Sequence, residues 1–301
     1  MEISTPGRIC LFGEHLDYLG LPVIAMAISL RMNIKGTFRS DNMIKIDMPD
    51  LNEIKVFCLD EHLNRLLESA KSMAFEKVPK LTYIKEAIFS TLKANKMFND
   101  THVRLTLTRG EKITSGMNPK LNQKGCTLIV LAEWKPAIYS GKKLRLVTAN
   151  VRRNSPLFLD SKIHHNNLIN NILAKIESNN AGADDAIMLD LNGFVAETNS
   201  TNIFMIKEGK VFTPFADACL PGVTRGLIIC ICSENNIPIF EKNISITEFY
   251  NADEVFTTGT MGELATVIEI DKREIKNKGE VLSKIQDLFR EKTQILGEKI
   301  I

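Results

Sequence analysis

Four polar segments in the second half of the chain contain the residues best suited to chemistry. Lys162 precedes a polar helix start in residues 161–168, and polar side chains open a strand in residues 196–203. Residues 220–225 form a turn that leads into a helix, and residues 257–261 form a polar turn after a strand. Each segment alone also fits an ordinary role, because exposed lysines, helix caps and tight turns occur in every fold. Their order along the chain is therefore more informative than any single segment.

Histidine and cysteine patterns do not predict a metal site. His164 and His165 are adjacent and cannot share one face of a helix. The six cysteines form no CxxC pair and no metal-type spacing with histidine. We expect buried, reduced thiols rather than ligands.

From about Leu59 to about Ile275, the chain resembles the class IV pyridoxal phosphate (PLP) transaminases. This family includes the branched-chain and D-amino-acid aminotransferases and aminodeoxychorismate lyase. The four polar segments have the order of the family's motifs, and residues 161–168 carry much of the similarity. The resemblance implies fold type IV, an α+β architecture with a small α/β domain and a larger β-rich domain that binds PLP.

The resemblance assigns the catalytic lysine and the residues beside the cofactor ring. Lys162 stands at the family's lysine position, where the amine holds PLP as a Schiff base and shuttles a proton at the substrate α-carbon. Glu197 matches the carboxylate that keeps the pyridine nitrogen protonated. Asn167 stands where many branched-chain enzymes carry a tyrosine over the cofactor oxygen. This difference leaves the amino-acid substrate open.

The resemblance also assigns the residues around the cofactor phosphate. Arg65 matches the family's phosphate arginine, whose guanidinium can bind an oxyanion with two parallel hydrogen bonds. Val223 and Thr224 open a helix, where free N–H groups and the helix dipole favour an anion. Thr260 matches a second hydroxyl contact to the phosphate.

On the substrate side, the resemblance assigns a turn and an arginine. In the family, the turn that matches Thr260 and Met261 offers backbone N–H groups to the substrate carboxylate. Arg104 stands where related enzymes place a residue that shapes the substrate pocket. The implied partners are an amino acid and a 2-oxo acid, and the family usually forms homodimers.

Residues 1–57 follow a different pattern. The motifs Pro6-Gly7-Arg8, Gly13-Glu14-His15 and Asp17-Tyr18 resemble the start of GHMP-family, galactokinase-like sugar kinases. Such a kinase also needs a phosphate loop, and the nearest candidate, Leu107-Thr108-Arg109-Gly110, lacks the serine run. The N-terminal motif of class IV enzymes is not found either. Its nearest match, Thr37-Phe38-Arg39, is at best a chance remnant. We expect this segment to complete the small domain without kinase activity.

Apolar periodicity predicts the elements that would position these residues. Helices are expected at 60–74 with Asp60 as the N-cap, 82–95, 164–178, from Gly222, and 280–297. Strands are expected at 102–108, 126–133, 144–150, 186–190, 203–206, 211–213, 254–258 and 266–270. The connector 139–143 is the predicted boundary between a small domain, 58–140, and a PLP-binding domain, 141–301, preceded by the atypical segment 1–57.

Composition limits the classes of protein that this chain can represent. Among 301 residues, 38 Lys and Arg balance 36 Asp and Glu, so the charge favours neither nucleic acid nor a membrane surface. A hydrophobic content of 44% and a charged content of 25% are typical of globular proteins. Residues 21–30 are too short to span a bilayer, and Met1-Glu2 begins no signal peptide, so we expect a cytoplasmic protein.

The function that follows is PLP-dependent transamination between an amino acid and a 2-oxo acid, of branched-chain or D-amino-acid type. Three alternatives stay open. The first is a catalytically impaired fusion protein that keeps the PLP fold, since residues 1–57 depart from the family pattern. The other two are an aminodeoxychorismate lyase and a GHMP-type sugar kinase.

Overall fold

A computed structural model describes residues 2–12, 24–35, 55–98, 101–135, 138–139 and 141–299. Contacts within the chain group into two units. The first comprises Met1–Val56 with Lys299–Ile301, and the second comprises Phe57–Glu298. The predicted domain limits at 57/58 and 140/141 stay predictions.

In the first unit, two long strands form an antiparallel pair. Strand β1 (Glu2–Phe12) pairs with β2 (Ile24–Lys35). The register shifts between Pro6 and Arg8, next to a residue that has no backbone N–H to donate to the ladder. The predicted motif residues at positions 13–20, and the segment 37–39, lie outside the described residues.

The other elements follow in chain order. The helices are α1 (Leu59–Ser72), α2 (Leu81–Ala94), α3 (Ile169–Asn180), α4 (Val223–Glu234), α5 (Ile246–Tyr250) and α6 (Glu280–Ile295), with a 3-10 turn at Pro119–Leu121. The strands are β3 (Lys55–Val56), β4 (Thr101–Thr108), β5 (Thr127–Trp134), β6 (Leu144–Thr148), β7 (Asp185–Leu189), β8 (Val195–Thr198), β9 (Asn202–Lys207), β10 (Lys210–Pro214), β11 (Ile239–Lys242), β12 (Glu254–Gly259), β13 (Glu263–Ile270), β14 (Arg273–Glu274) and β15 (Glu298–Lys299).

Within the described residues, nine strands form one mixed sheet. Its order is β11-β10-β9-β12-β13-β6-β7-β8, and β14 pairs with β13. The pairs β10/β11, β6/β13 and β6/β7 are parallel, whereas the other pairs are antiparallel. Strands β4 and β5 form a separate antiparallel pair.

The central strands are buried on both faces, which explains their continuous apolar runs. Along β9, Ile203 and Met205 pack into the core that contains Phe249 of α5. The alternate residues Phe204 and Ile206 pack into the opposite core, with α4 and α6. The sheet is therefore a rigid layer between two cores, and its strand ends can hold functional groups in fixed positions.

The structure confirms most predicted elements to within a few residues and corrects two predictions about helix starts. Asp60 is not the N-cap of α1. The cap is Cys58, and Asp60 lies in the first turn, where it forms an ion pair with Lys85 at 2.7 Å. Helix α3 begins at Ile169 and not at 164. The backbone N–H groups of Lys162 and His164 bond to Asp160 Oδ1 and Ser69 Oγ, so this segment forms a loop.

No helix in the part of the chain that the structure describes has the length and apolar character needed to cross a bilayer.

The stacked rings of Phe204 and Phe256 predict a large loss of stability on truncation. Their centroids lie 5.0 Å apart in the core beneath α4 and α6, and Phe204 is fully buried. We expect Phe204→Ala to lower the free energy of unfolding by about 3–5 kcal/mol, because it leaves a cavity. Urea unfolding followed by circular dichroism measures this. Phe98→Ala, at a 40% exposed position, is the control and should cost less than about 1 kcal/mol. Equal losses would contradict the packing described here.

Candidate active site

The polar turns after β8 and β12 lie side by side at one end of the central strands β9 and β12. Asn202 at the start of β9 pairs in register with Thr258 near the end of β12. Gly259 lies so close to Thr201 that an added Cβ would be 3.1 Å from the threonine methyl carbon. The segment that contains Glu197 and the turn that contains Thr260 therefore converge from distant parts of the sequence.

The Glu197 carboxylate is buried, and each of its two oxygens accepts a hydrogen bond. It is 5% exposed, Arg153 Nε donates to its Oε1 at 2.6 Å, and Asn202 Nδ2 donates to its Oε2 at 3.4 Å. Burial raises the pKa of Glu197 to about 7, while the Arg153 guanidinium acts in the opposite direction. Such a carboxylate responds strongly to any further cation placed beside it.

Arg153 is a site residue that the sequence analysis missed. It is 6% exposed, it follows β6, and its Nη1 donates to Asn170 Oδ1 of α3 at 2.9 Å. A buried carboxylate needs a buried cation, but Arg152 and Arg153 stand together in the sequence. Nothing in their spacing distinguishes Arg153 from its exposed neighbour Arg152.

The start of α4 faces the same region. Gly222 is the N-cap, Thr224 is buried, and within the described residues no side chain caps the helix. The first N–H groups, including those of Val223 and Thr224, have no acceptor inside the helix. An added Cβ at Gly222 would overlap Asn202 Oδ1, so the turn before α4 packs directly on the residue beside Glu197.

Arg65 reaches this helix start from α1. Its Nη1 donates to the carbonyl of Pro221 at 3.4 Å, and its Nη2 lies 3.5 Å from His62 Nδ1. Burial lowers the pKa of the Arg65 guanidinium. Its Nε is buried and has no hydrogen-bond partner among the described residues. A partly desolvated guanidinium beside a helix N-terminus is a favourable position for an oxyanion.

Lys162 lies in the loop between β6 and α3, with an exposed side chain. The Lys162 ammonium and the Glu197 carboxylate both act electrostatically on the buried thiol of Cys219. Burial and the charge of Glu197 together raise the pKa of that thiol to about 12, and Lys162 is among the cations that act in the opposite direction. The amine and the carboxylate therefore both lie within electrostatic reach of Cys219.

The remaining predicted residues are positioned differently. Thr260 is exposed and Met261 half-buried, and the Met261 carbonyl accepts from Ile138 N–H at 2.8 Å. Asn167 is exposed in the loop before α3, and Arg104 is exposed on β4 opposite Leu131. Among the hydrogen bonds and ion pairs of the described residues, none joins Asn167 or Arg104 to Lys162, Glu197 or Arg65.

Two family models match this chain. The family model "Amino-transferase class IV" matches residues 47–270. The chain belongs to the class IV aminotransferases. A second model, "Galactokinase galactose-binding signature", matches residues 2–36 of this class IV chain. The two matches agree with the two resemblances drawn from the sequence.

Two relatives show how far the similarity extends. Branched-chain-amino-acid aminotransferase-like protein 2 of Arabidopsis thaliana is 58% identical over 249 residues, which cover 82% of this chain and 44% of the relative. The chain thus spans less than half the length of that relative. The putative branched-chain-amino-acid aminotransferase of Methanocaldococcus jannaschii is 35% identical over 81% of this chain and 85% of its own.

A solved structure extends the comparison to the fold. The branched-chain amino acid aminotransferase from Escherichia coli has a TM-score of 0.73 and 27% identity over 81% of each chain. This similarity agrees with the expected fold type IV.

Class IV aminotransferases are PLP-dependent, and the residues of this chain fit that cofactor. Arg65 Nε and Thr258 Oγ1 are buried atoms that find no partner within the described residues. Gly222 lacks the Cβ that would fill the turn before α4. A helix start with free N–H groups, a buried carboxylate and an exposed amine are the groups that a phosphate, a pyridine nitrogen and an aldehyde require.

His62 predicts a specific pH dependence for the apoprotein. Burial, together with the positive charge of Arg65, lowers its pKa from 6.5 to about 4. Unfolded His62 therefore takes up a proton between those values while folded His62 does not, so its stabilising contribution is lost as the pH falls. Between about pH 8 and about pH 5, wild type should lose about 2 kcal/mol more stability than His62→Gln. Urea unfolding at both values tests this, and equal losses would contradict it.

Proposed function

We propose that this chain catalyses PLP-dependent transamination between an amino acid and a 2-oxo acid. The observation that carries the proposal is the buried Glu197–Arg153 pair beside a helix start that no side chain caps in the described residues and that the Arg65 guanidinium reaches. Bound PLP supplies an aldehyde and an electron-accepting ring. The names of the relatives favour a branched-chain amino acid as donor, ahead of a D-amino acid.

Different residues of the chain are proposed to hold the phosphate, the ring nitrogen and the aldehyde of the cofactor. Arg65 and the N–H groups at the start of α4 hold the phosphate dianion, because both present positive charge and hydrogen-bond donors. Glu197 keeps a proton on the ring nitrogen, and Arg153 fixes the direction of that carboxylate. The Lys162 amine would bond the cofactor aldehyde, and once the substrate amine has displaced it, the free amine would accept and return the proton at the substrate α-carbon.

Substrate recognition is proposed for the turn after β12. The backbone N–H groups at Thr260 and Met261 would bind the substrate carboxylate, and the half-buried side chain of Met261 would contact its apolar part. Arg104 is proposed to shape the substrate side, and Asn167 to lie near the ring oxygen.

The first experiment is the visible absorption spectrum of the purified protein with PLP, before and after excess L-glutamate. A yellow band that shifts with L-glutamate supports the proposal. A yellow band that does not shift with L-glutamate, with branched-chain amino acids or with D-amino acids supports the alternative, a catalytically impaired protein that binds PLP. A protein without any band contradicts both functions.

Lys162 gives the sharpest single-residue prediction. Lys162→Ala should remove the yellow band and lower turnover by more than about a thousandfold, because no other amine replaces the covalent partner. Borohydride reduction followed by peptide mass spectrometry locates the lysine that carries PLP. Lys143→Ala, at an exposed position, is the control and should keep both band and activity. A trappable adduct on another lysine in Lys162→Ala would disprove the assignment.

We also propose a homodimer that pairs through α3. The outward face of this helix presents apolar side chains at helical spacing: Ile169, Ile172, Leu173 and Ile176. Leu157 and Phe158, in the loop that leads to Lys162, are also exposed. An exposed apolar surface of this kind marks a protein interface. A second copy on α3 would cover it and lie beside the catalytic loop.

The dimer proposal predicts a monomer when charges replace this apolar face. The double variant Ile172→Asp with Ile176→Asp should run as a monomer of 33.8 kDa in light scattering, whereas wild type should show about twice that mass. Ile113→Asp changes an equally exposed isoleucine elsewhere and should stay dimeric. A wild type that is monomeric at micromolar concentration would refute the proposal.

A further inference from the structure

The side-chain amide of Asn202 joins two parts of the candidate site. Asn202 is 6% exposed, and its Nδ2 donates to the Leu220 carbonyl at 2.9 Å and to Glu197 Oε2 at 3.4 Å. An amide nitrogen carries two hydrogens, so one side chain can serve both acceptors. The Leu220 carbonyl belongs to the turn before α4, whereas Glu197 lies at the end of β8.

The other side of the same amide packs on the helix cap. Gly222 has an ordinary φ of −64°, so glycine is not needed there for backbone freedom. It is needed for room, because any Cβ would overlap Asn202 Oδ1. Cys219 Sγ, 3.8 Å from Nδ2, closes the remaining side. The Asn202 amide cannot shift without moving either Glu197 or the start of α4.

The Glu197 carboxylate is anchored at two points that lead to different segments. Arg153 binds Oε1 and is itself tied to Asn170 of α3. Asn202 binds Oε2 and leads to the turn before α4, and the Leu220 backbone also stabilises the ionised carboxylate. Movement of this turn is therefore transmitted to the second oxygen of Glu197.

We propose that Asn202 is a positioning residue that couples the phosphate end of the cofactor site to its ring end. An oxyanion at the start of α4 orders the turn at residues 220–222 and, through Asn202, the Glu197 carboxylate. A pyridine ring that then binds Glu197 loses less conformational entropy, because the carboxylate is already ordered. Phosphate and ring binding are therefore positively cooperative. This inference rests on the proposed function, because it needs the phosphate and the ring to occupy these two positions.

The test separates the two ends of the cofactor. Pyridoxal, which lacks the phosphate, and inorganic phosphate are used as independent ligands of the apoprotein. The pyridoxal dissociation constant is measured by visible absorption with and without saturating phosphate. In wild type, phosphate should tighten pyridoxal binding about fivefold or more and change its absorption band. In Asn202→Ala, the ratio of the pyridoxal dissociation constants without and with phosphate should fall below about twofold, and the absorption band should no longer respond to phosphate.

Two further variants separate positioning from structural damage. Asn199→Ala removes an amide of similar burial, which bonds Asp185 Oδ1 at 3.1 Å and the Ala186 N–H at 2.6 Å, and it should keep the wild-type ratio. Asn202→Ser keeps a polar side chain, but its hydroxyl is one atom too short for both the Leu220 carbonyl and Glu197, and it should lose the effect of phosphate as Asn202→Ala does.

The outcomes distinguish the two proposals. A wild type that binds neither PLP nor pyridoxal would overturn the proposed function. A wild type that binds PLP while phosphate leaves pyridoxal affinity unchanged would overturn only the coupling. The same holds if the Asn202 variants keep the ratio, or if Asn199→Ala loses it equally.

Discussion

The ion pair between Glu197 and Arg153 constrains the whole candidate site. Its two side chains are almost fully buried, and removing two charges from water costs several kcal/mol per ion unless hydrogen bonds complete the pair. Asn202 and Asn170 supply those hydrogen bonds from β9 and α3. The pair therefore fixes the loop after β6, the end of β8, the start of β9 and the first turn of α3 in one arrangement.

The sheet makes this arrangement rigid. Along β9 and β12, side chains enter cores on both faces, so neither strand can rotate or slip by one residue without exposing apolar surface. Functional groups at the ends of such strands are held in well-defined positions, because the strands themselves are rigid. The residues proposed to act on small molecules, in contrast, lie in loops and turns. Lys162 and Thr260 are both exposed.

The sequence predicted the backbone elements better than it predicted the connections among them. Periodicity located the central strands, because apolar runs reflect burial directly. It placed the start of α3 too early, since the N–H of His164 bonds a serine in another helix, which no local pattern reveals. The resemblance to the family identified Lys162 and Glu197 as candidate site residues. Arg153 and Asn202 escaped notice because their importance arises from partners 44 and 18 residues away.

The distance along the chain between contacting segments also affects how the protein folds. Arg65 meets the Pro221 carbonyl across 156 residues, and Ser69 meets His164 across 95. Closing such long loops costs entropy before any contact compensates for it, so contacts of this kind form late and slow the folding reaction. The region at the start of α4 thus becomes complete only after α1 has contacted a turn and a loop far downstream in the sequence. Until then, the side chains of Leu59 and Leu63 on α1, which are buried in the folded protein, are exposed in the nascent chain and available for aggregation or for binding by chaperones.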